Sequence, residues 1–296
     1  MLKRGSNALS SVKFGLLGHK IAYSLSPLIH NTVFKLLGVD ASYEIVDIPE
    51  EVFDSEIRKV LATYRGLNVT IPYKTRILTY LTDQDDVART VGAVNTILIT
   101  EDKVIGYNTD VRGIIEAFKL RNVDLSGRTV LILGAGGAAR AAVYAAHIMG
   151  ASAIYVCNRT LERALELKRH FENYGINVRV EDWDRRAELA RVCDVVINCT
   201  PVGTQSWDSP LPENVFRKGQ AVLDMVYRPR LTKLLNDAYR CGAIIVDGLI
   251  VLIFQALAAD EIWLGRPVLS VDMFRHVENV LVEHVPDCKL PEDLRT

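Results

Sequence analysis

Residues Thr129–Ala146 read TVLILGAGGAARAAVYAA. A short apolar run rich in β-formers turns through Gly134, Gly136 and Gly137 and continues as an Ala-rich segment of strong helix propensity. Strand, glycine turn and helix in that order describe the first unit of a dinucleotide-binding fold. In a G-x-G-x-x-A register, Gly134 makes the tight turn and Gly136 lets the backbone approach a pyrophosphate. Ala139 keeps the helix close to its strand, and the helix N-terminus offers N–H donors to the phosphates. An ordinary α/β turn could carry the same glycines; the flanking strand and helix favour the nucleotide.

Outward from this unit toward the C-terminus, strands are expected at 129–134, 153–158, 177–180, 194–200, 221–226 and 243–247, with helices between most of them. Six such strands match a doubly wound nucleotide sheet. Helices at 249–264 and 271–285 follow a complete sheet and need something to pack on, so they are expected to cross back to the first domain. Toward the N-terminus, strands at 13–18, 42–48 and 66–71 alternate with helices at 26–38, 53–64 and 74–81. A hairpin at 93–100 and 104–108 precedes a helix at 111–120. Ser26 as N-cap and Pro27 just inside mark the start of the first helix. The expected fold is therefore two-domain α/β. An N-terminal α/β substrate domain over 1–111, completed by C-terminal helices in 249–296, accompanies a Rossmann-like doubly wound nucleotide domain over 112–248.

The totals narrow the function classes. The 296 residues suffice for two cores; 49% are apolar, 24% are charged and the formal net charge is −1. That balance gives no electrostatic reason to expect nucleic acid or an anionic membrane as partner. No apolar run reaches a membrane span, and the Lys3-Arg4 pair has no hydrophobic region behind it to make a secretory signal. Five cysteines without a C-x-x-C pair suggest reduced thiols in the cytoplasm, and the six histidines show no metal-ligand spacing, so no metal is expected.

The second nucleotide-domain strand decides the cofactor. An NAD site would place a carboxylate at its end to accept from the ribose hydroxyl. Here the strand ends Val156-Cys157-Asn158-Arg159-Thr160, with Arg163 one helical turn on. Guanidinium groups at that offset pair with a 2′-phosphate, which favours NADP over NAD; elsewhere they would be a solvated helix face.

In the N-terminal half, four phrases carry polar groups suited to chemistry. Ser24 and Ser26 place hydroxyls at a helix start, where a carboxylate could bind or where they could simply cap. Lys74 ends a strand beside Tyr73, as a partly desolvated acid–base group or as an exposed lysine. Asn95 suits a substrate hydroxyl or a turn, and Asp110 stands where a helix begins, an ordinary capping position. A Lys74–Asp110 pair would join them: the carboxylate holds the ammonium so that it exchanges a proton with an alcohol or carbonyl during hydride transfer.

Together these phrases resemble the shikimate dehydrogenase family over nearly the whole chain. Gly18–Asn31 is similar to its SLSP signature, Asn68–Lys74 to N-V-T-x-P-x-K, Gly92–Thr96 to G-A-x-N-T and Asn108–Asp110 to N-T-D. Gly134–Arg140 and Asn158–Thr160 look like its NADP loop and phosphate-reading turn. Asn198–Gly203, Asp224–Tyr227 and the run from Asp247 to Gln255 follow in order, although Ile250 stands where the family usually has Gly. The resemblance implies NADPH-dependent reduction of 3-dehydroshikimate to shikimate, in aromatic amino-acid biosynthesis, by a monomer or homodimer. It implies Lys74 as the acid–base residue and Asp110 as its partner. Ser24, Ser26 and Tyr227 would hold the substrate carboxylate, and Thr70, Asn95 and Gln255 the ring hydroxyls. Gly134, Gly136, Gly137, Ala138 and Arg140 would wrap the pyrophosphate; Asn158, Arg159, Thr160 and Arg163 would address the adenosine end, and Thr200 and Gly248 would lie along the nicotinamide half. The alternatives are a quinate/shikimate dehydrogenase using NAD or NADP and a non-catalytic nucleotide-sensing protein on the same scaffold.

Overall fold

The computed structural model describes residues 12–291 and 294. Its two six-stranded sheets follow one another in the chain. The first is built from β1 (Val12–Gly18), β2 (Ala41–Asp47), β3 (Gly66–Val69), β4 (Asp83–Gln84), β5 (Thr96–Ile99) and β6 (Val104–Tyr107), in the order β2-β1-β3-β5-β6-β4. β1 runs parallel to β2 and β3, whereas β5 runs antiparallel to β3 and β6, which is the expected hairpin. Around this sheet lie α1 (Ser26–Leu36), α2 (Phe53–Thr63) and α3 (Asp86–Val91), and α4 (Asp110–Leu120) follows it in the chain.

The second sheet is all parallel, with β7 (Thr129–Leu133), β8 (Ala153–Cys157), β9 (Val178–Glu181), β10 (Val195–Asn198), β11 (Ala221–Asp224) and β12 (Ile244–Val246) in the order β12-β11-β10-β7-β8-β9. That is the doubly wound order, whose direction reverses between β7 and β10, and ligands bind at the carboxyl ends of strands beside such a switch. The strands β7, β10 and β11 read as near-continuous apolar runs because helices cover both faces. Those helices include α5 (Gly137–Ile148), α6 (Leu161–Glu172), α7 (Arg186–Val192) and α8 (Lys233–Arg240).

The tail returns as expected. Helix α9 (Gly248–Leu264) is apolar on every side, and 13 of its 17 residues are buried. A Cβ on Gly113 of α4 would stand 2.8 Å from the Val251 carbonyl oxygen, so glycine is what lets α4 and α9 touch backbone to backbone. Further along α9, the Trp263 indole N–H donates to the Ile97 carbonyl at 2.9 Å. Helix α10 (Val271–His284) packs on α1 and α9. Among the described residues, no helix is long and apolar enough to cross a membrane.

Several local expectations are corrected. Leu25, not Ser26, holds the N-cap position of α1, and the Ser24 hydroxyl accepts from the Ser26 N–H at 3.2 Å. The helix expected at 74–81 is only a 3-10 turn at Arg76–Tyr80, because the Lys74 carbonyl accepts from the Val94 N–H at 2.8 Å rather than from its own helix. The short β4 and α3 had no counterpart in the sequence reading. Asp85 caps α3 by accepting from the Ala88 N–H at 2.7 Å, and Gly92 ends it with φ +67°.

Candidate active site

Lys74 and Asp110 meet. Lys74 lies in the turn after β3, and Asp110 is the first residue of α4, with Thr109 rather than Asp110 at the N-cap position. Lys74 Nζ donates to Asp110 Oδ2, in a pair whose side chains are 19% and 8% exposed. The other carboxylate oxygen, Oδ1, accepts from Asn95 Nδ2 at 2.9 Å. Asn95 is itself fixed: its Oδ1 accepts from the Thr109 N–H at 2.7 Å, and its Nδ2 also donates to Gln255 Oε1 at 3.1 Å. Gln255 comes from α9, so the returning helix completes the cluster. The ammonium is thus held by a carboxylate that is itself immobilised, the arrangement a proton donor of fixed aim requires.

Ser24 and Ser26 form a second cluster. The Ser24 hydroxyl donates to Ser26 Oγ at 3.2 Å and is a hydrogen-bond partner of the Tyr227 phenol beyond β11. Burial pushes the Tyr227 phenol up to about 12, so it stays a neutral donor. Arg228 fastens the two loops, donating to Asp287 Oδ2 at 2.7 Å and to the Tyr23 carbonyl at 3.4 Å. Thr70 stands half-buried just past β3, where its methyl lies 2.7 Å from a Cβ built on Gly18.

The glycine turn faces the lysine. Gly134 has φ +109°, and a Cβ there would stand 3.2 Å from the Cys199 carbonyl, so the turn packs against the end of β10. A Cβ on Gly137 would stand 3.0 Å from Lys74 Cδ, which puts the start of α5 against the Lys74 side chain. Among the described residues, the space beside Gly136 is open, and α5 has no side-chain cap on its first N–H groups. These features, with Arg159 and Arg163 exposed beyond β8, fit a dinucleotide carrying a 2′-phosphate. Asn158 Nδ2 donates to the Thr160 carbonyl at 2.7 Å and shapes that turn. Ala138 lies half-buried in the first turn of α5. Thr200 donates to Asn198 Oδ1 at 2.7 Å, just past β10. Gly248 is buried, with a would-be Cβ 2.6 Å from the Val226 carbonyl oxygen. The Arg140 guanidinium donates to the Val91 carbonyl at 3.4 Å.

Sequence reasoning passed over four groups. Asn68 and Thr109 lie inside phrases read only for Thr70 and Asp110, yet each is buried and bonded to Asn95 or its backbone. Cys199 lies near Lys74 and Asp110, and burial pushes its thiol well up. Asp224, fully buried at the end of β11, is pushed up to about 7 by desolvation, against donors from Thr232, Val226 and Asn198.

Comparison with known proteins gives the family and the fold. Residues 16–97 match the family model for the shikimate dehydrogenase substrate binding domain, and residues 116–219 that for shikimate / quinate 5-dehydrogenase. The shikimate dehydrogenase (NADP(+)) of Ignicoccus hospitalis is 39% identical over 266 residues, 89% of this chain and 97% of that relative. The shikimate 5-dehydrogenase of Thermus thermophilus, solved with NADP(H) and shikimate, matches with a TM-score of 0.80 at 36% identity, covering 91% of this chain and all (100%) of the other. A 5-ketofructose reductase of Gluconobacter sp. strain CHM43 has a TM-score of 0.79 at 29% identity, over 92% of this chain and 99% of its own. The chain belongs to the shikimate dehydrogenase family.

Proposed function

We propose that the chain is an NADP-linked oxidoreductase that interconverts 3-dehydroshikimate and shikimate, with Lys74 as the acid–base residue. The observation that carries this reading is the Lys74–Asp110 pair, built on the first sheet and lying against Gly137 of the nucleotide turn. We assign residues 1–111 with the helices of 249–296 to the substrate and residues 112–248 to the cofactor.

NADPH, when bound, supplies the hydride, and the chain's own side chains do the rest. The Lys74 ammonium gives a proton to the substrate oxygen as the carbonyl is reduced and takes it back in the reverse direction. Asp110 keeps Nζ aimed, and Asn95 keeps Asp110 from rotating. Ser24, Ser26 and Tyr227 donate to the substrate carboxylate, while Thr70, Asn95 and Gln255 take the ring hydroxyls. The turn Gly134–Gly137, Ala138 and Arg140 receive the pyrophosphate. Asn158, Arg159, Thr160 and Arg163 read the 2′-phosphate end, and Thr200 and Gly248 border the nicotinamide half. The net charge of −1 leaves no general pull toward polyanions, consistent with a small-molecule enzyme of the cytoplasm.

The test is an assay of the purified chain with shikimate, quinate and the two nicotinamide cofactors, followed at the reduced-cofactor absorbance, with 5-ketofructose and NADPH as a reverse arm. Turnover is expected with shikimate and NADP+. A chain that reduces 5-ketofructose, which carries no carboxylate, but ignores shikimate would remove both the substrate and the role given to the serines.

A further inference from the structure

Tyr43 of β2 stands between the two clusters of the site. Its phenol donates to Asn68 Oδ1 at 2.8 Å and has the Ser26 hydroxyl as its other partner. Asn68 passes the contact on, with Nδ2 donating to the Asn95 carbonyl at 3.2 Å and to Thr96 Oγ1 at 3.0 Å. Thr96 in turn donates to Asn95 Oδ1 at 3.1 Å, and Asn95 donates to Asp110. From Tyr43 onward the hydrogen bonds run one way, through Asn68 and Asn95 to the carboxylate that holds Lys74, and Ser26 joins the chain as the partner of the Tyr43 phenol.

Tyr43 is fixed from both sides. Asn31 of α1 takes its backbone with both amide atoms, each at 2.9 Å. The neighbouring His30 stacks on the phenol ring, with centroids 4.2 Å apart and planes 17° from parallel. His30 Nδ1 is bonded to Asp260 Oδ1 of α9 at 2.7 Å, with both side chains 0% exposed. Among the described residues, neither His30 Nε2 nor Asp260 Oδ2 has a hydrogen-bond partner. A buried pair with two unsatisfied atoms is a poor source of stability, and apolar residues of similar volume often do as well or better. The pair places a buried, hydrogen-bonded ring flat against Tyr43.

We propose that Tyr43 is a positioning residue that couples the carboxylate-binding serines to the Lys74–Asp110 pair, and that the buried His30–Asp260 pair is retained to orient it. The proposal rests on the reading of both clusters as a shikimate site.

Kinetics of two variants test it. Tyr43→Phe keeps the ring and its packing but strips Asn68 Oδ1 of its donor. It is expected to lower kcat with shikimate about tenfold and raise the shikimate KM severalfold, with the KM for NADP+ unchanged. The double variant H30L/D260L is expected to show the same kinetic signature at an equal or higher Tm. Activity would then fall without a loss of stability, which a merely structural pair could not produce. Wild-type kinetics in Tyr43→Phe, or in a folded H30L/D260L, would overturn the proposal; if the double variant does not fold, Tyr43→Phe decides alone. Wild-type chain that turns over no shikimate in the same assay would instead overturn the substrate reading.

Discussion

Asp224 shows how much a single buried carboxyl can control. Desolvation raises it from 3.8 to about 7, because donors from Asn198, Thr232 and Val226 only partly replace its lost hydration. Between those two values the folded chain keeps a proton that the unfolded chain has released. Its contribution to stability is full below about 3.8 and falls as pH rises toward 7, by up to about 1.4 kcal/mol per pH unit. Asp224→Asn is expected to flatten that part of the curve of unfolding free energy against pH, measured in urea; an unchanged slope would show that the group titrates normally. At the same scale, Arg159 stands exposed just beyond β8, where we propose that the cofactor's 2′-phosphate binds. Arg159→Ala should cost NADPH binding about 1.5–3 kcal/mol, the value of a charge-assisted hydrogen bond, and leave NADH binding unchanged. Equal losses in titrations with the two cofactors would take the 2′-phosphate away from Arg159.

Elements with a strong period were legible in the sequence, and those whose ends depend on distant partners were not. The glycine unit and the parallel strands β7, β10 and β11 announce themselves as apolar runs closed by turns. The segment 74–81 does not. Its apolar spacing suits a helix, but a backbone bond from Val94 to Lys74 claims the carbonyl that a helix would need. Short α3 carries both of its punctuation marks, Asp85 and Gly92, yet has too few residues to show a period. In the site, residue types with an obvious chemistry were found, whereas Tyr43, His30 and Asp260 were not, because their partners come from separate elements. His30 and Asp260 lie 230 positions apart. The α4–α9 contact is likewise invisible in sequence but open to test. Gly113→Ala should gain about 1 kcal/mol of helix propensity, yet its Cβ would press on the Val251 carbonyl oxygen from 2.8 Å. Net destabilisation in thermal unfolding is expected, and a raised Tm would mean that the two helices part without cost.

Across the whole molecule, the last turn of α3 is held by α5 and by the end of α6, which belong with the second sheet. The carbonyls of Arg89, Thr90 and Val91 accept from Tyr174 Oη at 3.0 Å, His170 Nε2 at 2.8 Å and Arg140 Nη1 at 3.4 Å. Gly92 permits this approach, since a Cβ there would stand 2.5 Å from the His170 ring. Three residues further on is Asn95, so this contact borders the segment that orients Asp110. Removing two of its donors, as in His170→Ala with Tyr174→Phe, should open the cleft and enlarge the radius of gyration seen by solution scattering; an unchanged radius would place the closure elsewhere. Lys74 lies against Gly137 of the nucleotide turn, and the proposed function depends most on its acid–base role. Steady-state kinetics of Lys74→Ala with shikimate and NADP+ tests it. A side chain that moves a proton only in the transition state should cost kcat several orders of magnitude more than it costs either KM. A variant with near-normal kcat and a raised shikimate KM would make Lys74 a binding residue and contradict its acid–base role.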